Sequence, residues 1–122
     1  NDEQEDFTLP WFKNSPYADK ITMHIGDAMD VVPKLQVMFD MAFIDGDKRR
    51  YTEYYEMVLQ HLNPGGYILA DNTLWDGHVV DENAHDAQTL GIKAFNDLVA
   101  NDDRVEKIIL PLRDGLTIIK KK

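Results

Sequence analysis

The chain has 122 residues, of which 43% are hydrophobic, and this length and composition suit one small domain with a packed core. The net charge of −9 argues against a nucleic-acid platform, and the absence of cysteine excludes disulfides and thiolate metal sites. No apolar run approaches the roughly 20 residues of a membrane span, the acidic start is unlike a signal peptide, and a reducing cytoplasm is compatible with this composition.

The first part of the chain predicts two short helices and one strand. Residues 1–14 are expected to form a helix that is broken or kinked near Pro10, because proline removes a backbone donor and clashes with the preceding turn. A turn follows, and the apolar pattern of residues 20–25 predicts a short strand. A loop and a short helix ending near Pro33 come next.

The central part alternates strands and helices. The mostly apolar stretch 39–45 predicts a strand that is buried on both faces. The helix that follows places six residues on one face, namely Tyr51, Tyr54, Tyr55, Val58, Leu59 and Leu62. The sequence NPGG at 63–66 is expected to stop this helix, and residues 66–72 predict a second apolar strand.

The last part predicts a polar loop over 73–85, a helix and a hairpin. The helix is predicted over 86–100, and one face of it carries four apolar residues, Ala87, Leu90, Ala94 and Leu98. Two strands over 104–112 and 115–122 are expected to be antiparallel, since their link is short. Strands that alternate with helices imply parallel pairing and right-handed crossovers. The predicted class is therefore α/β, mostly parallel with a closing antiparallel hairpin, in one domain.

Polar side chains end two of these strands. Asp45 ends the first, and Asp71 and Asn72 end the second. If the strands are neighbours, they lie about 4.8 Å apart and share the rim at which open α/β sheets bind ligands. Oxygen donors alone suit Mg²⁺, Mn²⁺ or Ca²⁺ better than Zn²⁺. A helix cap or a turn former would explain either strand end taken singly, but the pair, with Lys48 close behind, favours a metal site.

At this point the sequence resembles a known family. The stretch Phe43–Val79, with its FIDGDK and DNTLWDG blocks, is similar to the cation-dependent O-methyltransferases that use S-adenosylmethionine, the caffeoyl-CoA and catechol O-methyltransferase-like family. HIGDA at 24–28 and ILPLRDGLTIIKK at 109–121 fit the same pattern. The resemblance therefore spans nearly the whole chain, and it implies the C-terminal part of a Rossmann-like methyltransferase sheet.

The resemblance assigns roles residue by residue. It makes Asp45, Asp71 and Asn72 the metal ligands and Lys48 the catalytic base. Five further positions match those that hold the cofactor, with Gly26, Asp27 and Ala28 beside the adenine and Asp47 and Tyr54 at the amino-acid end. Asp76, together with Asp45, falls where the family contacts its acceptor substrate. The family often has Ala at position 46, and the Gly found here is expected to be tolerated.

The implied mechanism follows from charge. A phenol with a pKa near 10 is a poor nucleophile at neutral pH, and a metal on its oxygen favours the phenolate. The same cation disfavours the ammonium form of Lys48, which is then able to accept the proton. The phenolate attacks the methyl carbon of the sulfonium in line, so positioning supplies much of the acceleration. The expected acceptor is a small catechol-like molecule, and the expected cation is Mg²⁺, with Mn²⁺ or Ca²⁺ as alternatives.

The resemblance also implies cofactor-binding elements that are not found in this sequence. A Gly-rich turn after a first strand and an acid after a second strand are expected, whereas residues 1–7 resemble the helix after that second strand. We therefore expect the C-terminal part of a longer methyltransferase, lacking roughly two βα units. Such a chain is predicted to bind S-adenosylmethionine weakly or not at all, while weak metal binding survives.

The family's strand order, 3-2-1-4-5-7-6, gives this expectation a structural consequence. The predicted strands 20–25 and 39–45 would lack their inner neighbours, which leaves an unpaired apolar edge. Three outcomes are open: another chain or fragment supplies the missing part, residues 20–25 close against 39–45, or two copies pair edge to edge. Some form of association, such as a homo-oligomer, is expected.

Other functions stay open from the sequence. FIDGD after an apolar run is also typical of the nucleophile loop of haloacid-dehalogenase-type phosphatases, with Asp45 phosphorylated and Asp47 as the acid, although Arg49 departs from that motif. Some bacterial relatives of the methyltransferase family modify hydroxyuridine in tRNA, which the acidic balance disfavours only slightly. The isolated chain could also be an inactive fragment or an interaction module.

Overall fold

The computed structural model describes residues 5–122, as two compact units over 5–34 and 35–122. The first unit contains two helices and two short 3₁₀ turns, namely α1 (Glu5–Lys13), Ala18–Lys20, α2 (Ala28–Val31) and Val32–Lys34. Pro10 lies inside α1, so the helix is not broken there, and a kink at this residue stays a prediction. Residues 1–4 of the predicted first helix lie outside the described part of the chain.

The strand predicted over residues 20–25 is not found. Ile21 has extended dihedral angles, with φ −113° and ψ 121°, but residues 21–25 belong to no sheet. An extended segment becomes a strand only when a neighbour accepts and donates its backbone hydrogen bonds, and the sheet described below includes no pairing with this segment. Of the three open outcomes, pairing of residues 20–25 with 39–45 is therefore not found in the described sheet.

The second unit is a four-stranded sheet with two helices. Its elements are β1 (Phe39–Ile44), α3 (Tyr51–Gln60), β2 (Leu62–Asp71), α4 (Ala87–Ala100), β3 (Val105–Leu110) and β4 (Leu116–Lys121). The strand order is β1-β2-β4-β3, with β1 parallel to β2 and with β4 antiparallel to both of its neighbours. Three strands thus point one way and β4 is reversed, which confirms the predicted α/β class and its closing hairpin.

The core of this unit lies between the sheet and the two helices. Its fully buried members include Tyr51, Tyr55, Leu62, Ile68, Ile92, Phe95 and Ile119. The opposite sheet face is open at β1, where Met41 is 63% exposed and Phe43 is 58% exposed. The prediction that 39–45 is buried on both faces is therefore wrong, since among the described residues β1 is covered only on the face that carries Ile44.

Helix α4 buries a different face from the one predicted. Asp86 caps it by accepting hydrogen bonds from the backbone of Gln88 and Thr89, so the predicted start is confirmed. The buried residues are Thr89, Ile92, Phe95 and Val99, whereas Ala87, Leu90 and Ala94 are exposed and Leu98 is half-buried. Both stripes have helical spacing and apolar members, so periodicity alone did not distinguish the face that meets α3.

The NPGG segment lies in a strand and does not end the preceding helix. Helix α3 ends at Gln60, and the His61 backbone N–H donates to the Val58 carbonyl. Residues 63–66 belong to an irregular start of β2, where the pairs Phe39–Leu62 and Met41–Tyr67 show that β2 carries extra residues opposite β1. This bulge accommodates the proline and glycines that a regular ladder would exclude.

Candidate functional site

The ends of β1 and β2 bring the predicted site residues of the second unit together. The two strands are parallel, and Ile44 pairs with Ala70, so the next residues, Asp45 and Asp71, lie side by side at the strand ends. Asn72 turns the chain away with a positive φ of 59°, a conformation that asparagine tolerates better than most residues. The carboxyl ends of neighbouring parallel strands therefore present two carboxylates and one amide at a single rim.

Lys48 is buried at this rim. Asp47 caps a 3₁₀ turn over Lys48–Arg50, and this turn aims the lysine back at the strand ends. The Lys48 side chain is 8% exposed, and its Nζ donates to Asp45 Oδ1 at 2.8 Å and to the Tyr51 hydroxyl at 2.6 Å. Helix α4 approaches closely at Gly91, where a Cβ would lie 2.4 Å from the Lys48 carbonyl oxygen. Lys48 is thus held by its side chain at the rim and by its backbone against α4.

Tyr51, which sequence analysis placed only on the apolar face of the helix, also lies at this rim. Its hydroxyl accepts from Lys48 Nζ and lies 2.9 Å from the Asp71 carbonyl oxygen and 3.2 Å from that of Ile44. Burial first, and then the negative charges of Asp45 and Asp71, raise the pKa of Tyr51 well above its usual value. The hydroxyl therefore stays protonated and links Lys48 to both strand ends. Its position three residues after Lys48 was the available sequence signal.

Three side-chain oxygens at the rim make no hydrogen bond to any residue in the range 5–122. Asp45 and Asp71 each use one carboxylate oxygen, since Asp45 Oδ1 accepts from Lys48 and Asp71 Oδ1 accepts from the Asn72 backbone at 2.8 Å. The Asn72 amide nitrogen points to Asp114 Oδ2 at 3.4 Å, which leaves the amide oxygen free. Oxygen donors of this kind suit a hard divalent cation. No cluster of three or more His, Asp and Glu suitable for a metal is found among the described residues, and the rim contributes two carboxylates.

The loop after β2 is fixed by the hairpin between β3 and β4. Asp114 accepts hydrogen bonds from the Asn72 amide and from the Asp76 backbone N–H. The Leu74 backbone N–H donates to the Asp114 carbonyl, and Gly115, at φ +83°, lacks the Cβ that would lie 2.5 Å from the Leu74 side chain. Asp76 itself has a positive φ of 51° and is exposed. Sequence analysis missed Asp114, because its DG neighbourhood is typical of any tight turn.

A groove of about 590 Å³ runs along this loop. Its lining combines three apolar and three charged side chains, Leu74, Val79, Val80, Asp76, Arg113 and Asp114. Asp114 belongs to the groove and also holds Asn72, so the groove adjoins the rim. The predicted acceptor residue Asp76 lies in it, which is where an acceptor would have to lie if its hydroxyl reached the strand ends.

The predicted cofactor residues fall in both units. Asp47 is tied to Arg49, whose guanidinium holds the pKa of that carboxyl down at about 2, and the Arg49 Nε–Asp47 Oδ1 distance is 2.9 Å. Tyr54 is half-buried beside Gly46, where a Cβ would lie 2.9 Å from the Tyr54 ring. The backbone of Gly46 thus takes up space that Ala would need, and an Ala there would push the ring away.

The remaining cofactor residues, Gly26, Asp27 and Ala28, lie in the first unit at the start of α2. Gly26 has φ +145°, which favours glycine, and Asp27 caps the helix by accepting from the Met29 backbone at 2.9 Å. Whether these residues join Asp47 and Tyr54 in one cofactor site stays a prediction. None of the helices within residues 5–122 has the length and apolarity needed to cross a bilayer.

The known proteins that this chain resembles are O-methyltransferases. The family described as O-methyltransferase matches residues 1–122. The chain is 35% identical over 133 residues to caffeoyl-CoA O-methyltransferase 2 of Zea mays, covering 99% of this chain and 50% of that protein. It is 37% identical over 97 residues to the catechol O-methyltransferase of Niastella koreensis, covering 76% of this chain and 44% of that protein.

A solved structure gives the same result for the fold. The O-methyltransferase from Bacillus cereus, determined in complex with SAH, superposes with a TM-score of 0.90 at 26% sequence identity. The match covers 100% of this chain and 60% of that one. The chain spans about half the length of the curated relatives it matches.

Proposed function

The chain belongs to the O-methyltransferase family, and from this membership we propose that it forms part of an S-adenosylmethionine-dependent enzyme that methylates a phenolic hydroxyl. The methyl group leaves the sulfonium of the donor, which becomes S-adenosylhomocysteine, and joins the oxygen of a catechol-like small molecule. The observation that supports this most is the rim at the strand ends. There a buried lysine contacts Asp45 beside three oxygens that accept no hydrogen bond from residues 5–122.

Asp45, Asp71 and Asn72 are the residues proposed to hold a divalent cation, with Mg²⁺ as the first choice. The fit rests on the donor set, which is two carboxylate oxygens and one amide oxygen on neighbouring strand ends. When bound, such a cation supplies positive charge that favours the ionised form of a phenol. Dependence on a cation, and its identity, are part of the proposal.

Lys48 is the proposed base. In its amine form, Nζ accepts the proton of the acceptor hydroxyl, which must come within about 3 Å. The Tyr51 hydroxyl and Asp45 Oδ1, at 2.6 and 2.8 Å, hold Nζ in place before the acceptor arrives. Tyr51 is a poor candidate for the base itself, because its raised pKa means that it is already protonated at neutral pH and stays so.

The contacts of the methyl donor are proposed from the family resemblance. Asp47 and Tyr54 would hold its amino-acid end, and Gly26, Asp27 and Ala28 would lie beside the adenine. The Arg49 guanidinium is hydrogen-bonded to the Asp47 carboxylate in the structure. The donor's ammonium group must therefore compete with Arg49 for that carboxylate or share it. We expect the 122-residue chain alone to bind S-adenosylmethionine weakly or not at all, and micromolar binding in a calorimetric titration would contradict this.

The test of the proposed function is methyl transfer by the whole protein. With labelled S-adenosylmethionine and catechol, transfer is expected with Mg²⁺, is expected to be lost with EDTA, and is expected to return when Mg²⁺ is restored. Asp71→Asn should weaken the binding of Mn²⁺, which is measured by electron paramagnetic resonance. The matched control Asp103→Asn changes the charge equally at an exposed turn beyond α4. Transfer that persists in EDTA would remove the metal from the proposal, and no transfer under any condition would overturn it.

The phosphatase alternative receives no support from the geometry. In that hypothesis Asp47 donates a proton and needs a raised pKa. The Arg49 guanidinium instead lowers the pKa of Asp47 to about 2, so the carboxyl is ionised at neutral pH. Arg49 is also the residue by which the sequence departs from the phosphatase motif.

Association through β1 is a further part of the proposal. Within the four-stranded sheet, β1 pairs only with β2, and Met41 and Phe43 are exposed on it. Such an edge favours pairing with another chain or another segment. Sedimentation velocity is expected to show a species larger than the 14.1 kDa monomer, and a strictly monomeric chain at high concentration would contradict association. A cytoplasmic location likewise stays a prediction.

A further inference from the structure

Arg113 stands apart from the other arginines of the chain. Arg49 pairs with Asp47, Arg50 with Glu53, and Arg104 with Glu56 and Asp102. Arg113 makes no hydrogen bond, ion pair or ring contact with any residue in the range 5–122. In a chain with 22 acidic and 13 basic residues, carboxylate partners are plentiful. An exposed arginine without a partner is therefore worth a functional explanation.

The backbone conformation at position 113 does not favour an arginine. Its φ is +50°, in the left-handed region where glycine costs least. The next residue, Asp114, makes the contacts that hold the loop, and Gly115 makes the close approach to Leu74. Turn formation therefore requires Asp114 and Gly115, while nothing in the packing of residues 5–122 requires an arginine at 113.

The side chain of Arg113 does line the groove beside the rim. The groove has an apolar wall of Leu74, Val79 and Val80, which suits an aromatic ring. The groove also contains two acids, Asp76 and Asp114. The carboxylate of Asp114 already accepts hydrogen bonds from the Asn72 amide and from the Asp76 backbone N–H. Arg113 is the cation among the groove's lining residues, and all five of its N–H donors are available in a geometry that matches a carboxylate or a phosphate.

We infer that the groove binds an acceptor that carries an anionic group, a carboxylate or a phosphate, and that Arg113 binds this group. This inference rests on the proposed function, because it assumes that the phenolic end of the acceptor lies at the strand ends. An apolar wall for the ring, the rim for the hydroxyls and Arg113 for the anion then form one continuous site. Arg113 is a specificity residue in this scheme and takes no part in methyl transfer.

The test compares three acceptors on the protein saturated with Mg²⁺: neutral catechol, the free acid caffeate, and caffeoyl-CoA, which adds phosphates and lacks the free carboxylate. At least one anionic acceptor should bind about fivefold more tightly than catechol, as expected for a solvent-accessible ion pair. Preference for caffeate assigns a carboxylate, preference for the thioester assigns a phosphate, and preference for both assigns an anion of either kind.

Variants make the test specific. Arg113→Gln should lower the affinity for the preferred anionic acceptor by about fivefold, and Arg113→Lys should retain part of the preference. Lys120→Gln removes one positive charge from the far end of β4 and should change nothing. Equal binding of all three acceptors, binding of catechol alone, failure of all three acceptors to bind, or a preference that survives Arg113→Gln would overturn the inference. Methyl transfer to neutral catechol by the wild-type protein tests the proposed function without using the anionic group, so that assay separates failure of this inference from failure of the proposed function.

Discussion

The hydroxyls of two tyrosines on one helix belong to hydrogen-bond networks of different kinds. Tyr51 and Tyr55 lie one turn apart on α3, and both are fully buried. Both also meet Phe95 edge-on, with ring centroids 5.4 and 5.9 Å apart. Their rings therefore contribute alike to the core, and the difference between them lies in what their hydroxyls contact.

The hydroxyl of Tyr55 enters a closed network. It donates to Asp102 Oδ2 at 2.8 Å, and the guanidinium of Arg104 donates to the same carboxylate at 2.6 Å and to Glu56 at 2.6 Å. The Asp102 side chain is only 6% exposed. Both of its oxygens are used within the protein, so this network has no room for a ligand and serves to stabilise the fold.

The hydroxyl of Tyr51 enters an open network. It contacts Lys48, which contacts Asp45, and the Asp45 side chain is 54% exposed with one oxygen that no residue in the range 5–122 contacts. Burial and hydrogen bonding alone therefore do not mark a functional site. What distinguishes the two ends of α3 is whether the last group of the network still has bonding capacity that faces solvent.

Removal of Lys48 is expected to have the largest effect on methyl transfer. In the whole protein, Lys48→Met is expected to lower methyl transfer by about 10²-fold or more, because a positioned base contributes that much. Its free energy of unfolding should change by less than about 1 kcal/mol, since Asp45 is exposed to water and Tyr51 keeps its carbonyl acceptors. Initial rates and urea unfolding measure the two effects.

Lys121 provides the matched control for that experiment. Its Nζ donates to the Leu59 and Leu62 carbonyls at 2.8 and 2.7 Å, within the fold and away from the rim. Lys121→Met should lose about 1 kcal/mol of stability and keep the wild-type rate. Equal rate losses in the two variants would show that Lys48 acts only through the fold.

The second prediction breaks the closed network. Asp102→Ala removes the acceptor of Tyr55 and of Arg104, and it should cost about 2 kcal/mol in the free energy of unfolding because hydrogen bonds to a charged group are lost. Urea unfolding should show a lower midpoint at an unchanged slope. If this variant were as stable as the wild type, the network around Asp102 would be a surface feature with no structural role.

The sequence predicted the rim better than the partners that complete it. Asp45, Lys48, Asp71 and Asn72 could be placed because strand ends are visible as apolar runs that stop in polar residues, and parallel neighbours share a rim. Asp114 is 42 residues away from Asn72 along the chain. Its contact depends on how the hairpin folds back over β2, and no local pattern encodes that.

The same limit explains the errors in the fold. On α4, Leu90 and Ile92 belong to two different apolar stripes, and only the packing of α3 and the sheet decides that Ile92 is buried. Residues 20–25 have a strand-like pattern but no ladder in the structure. Local propensity was read correctly in both cases, and tertiary context determined the outcome.

The third prediction compares the two hydroxyls directly. Tyr51→Phe and Tyr55→Phe each remove one oxygen from a buried ring, and each should cost about 1 kcal/mol of stability. Only Tyr51→Phe should reduce kcat, by about tenfold with an unchanged KM, because Lys48 loses the group that holds its Nζ. Steady-state kinetics of the two variants of the whole protein measure this. A similar loss of kcat in Tyr55→Phe would erase the distinction between the open and closed networks.

The smallest expected effect is the acid sensitivity of the closed network. The Arg104 guanidinium, followed by the Arg104 backbone and the Tyr55 hydroxyl, lowers the pKa of Asp102 well below its usual range. A carboxyl whose pKa is lower in the folded state stabilises the protein fully above its unfolded pKa of about 3.9, and this contribution is lost as the pH falls towards the folded pKa. The free energy of unfolding of the wild type should therefore fall more steeply between about pH 4 and pH 3 than that of Asp102→Asn. Because Asp102 is remote from the rim, Lys48→Met should keep the wild-type slope, and a flattened slope in that variant would mean that the two networks are coupled through α3.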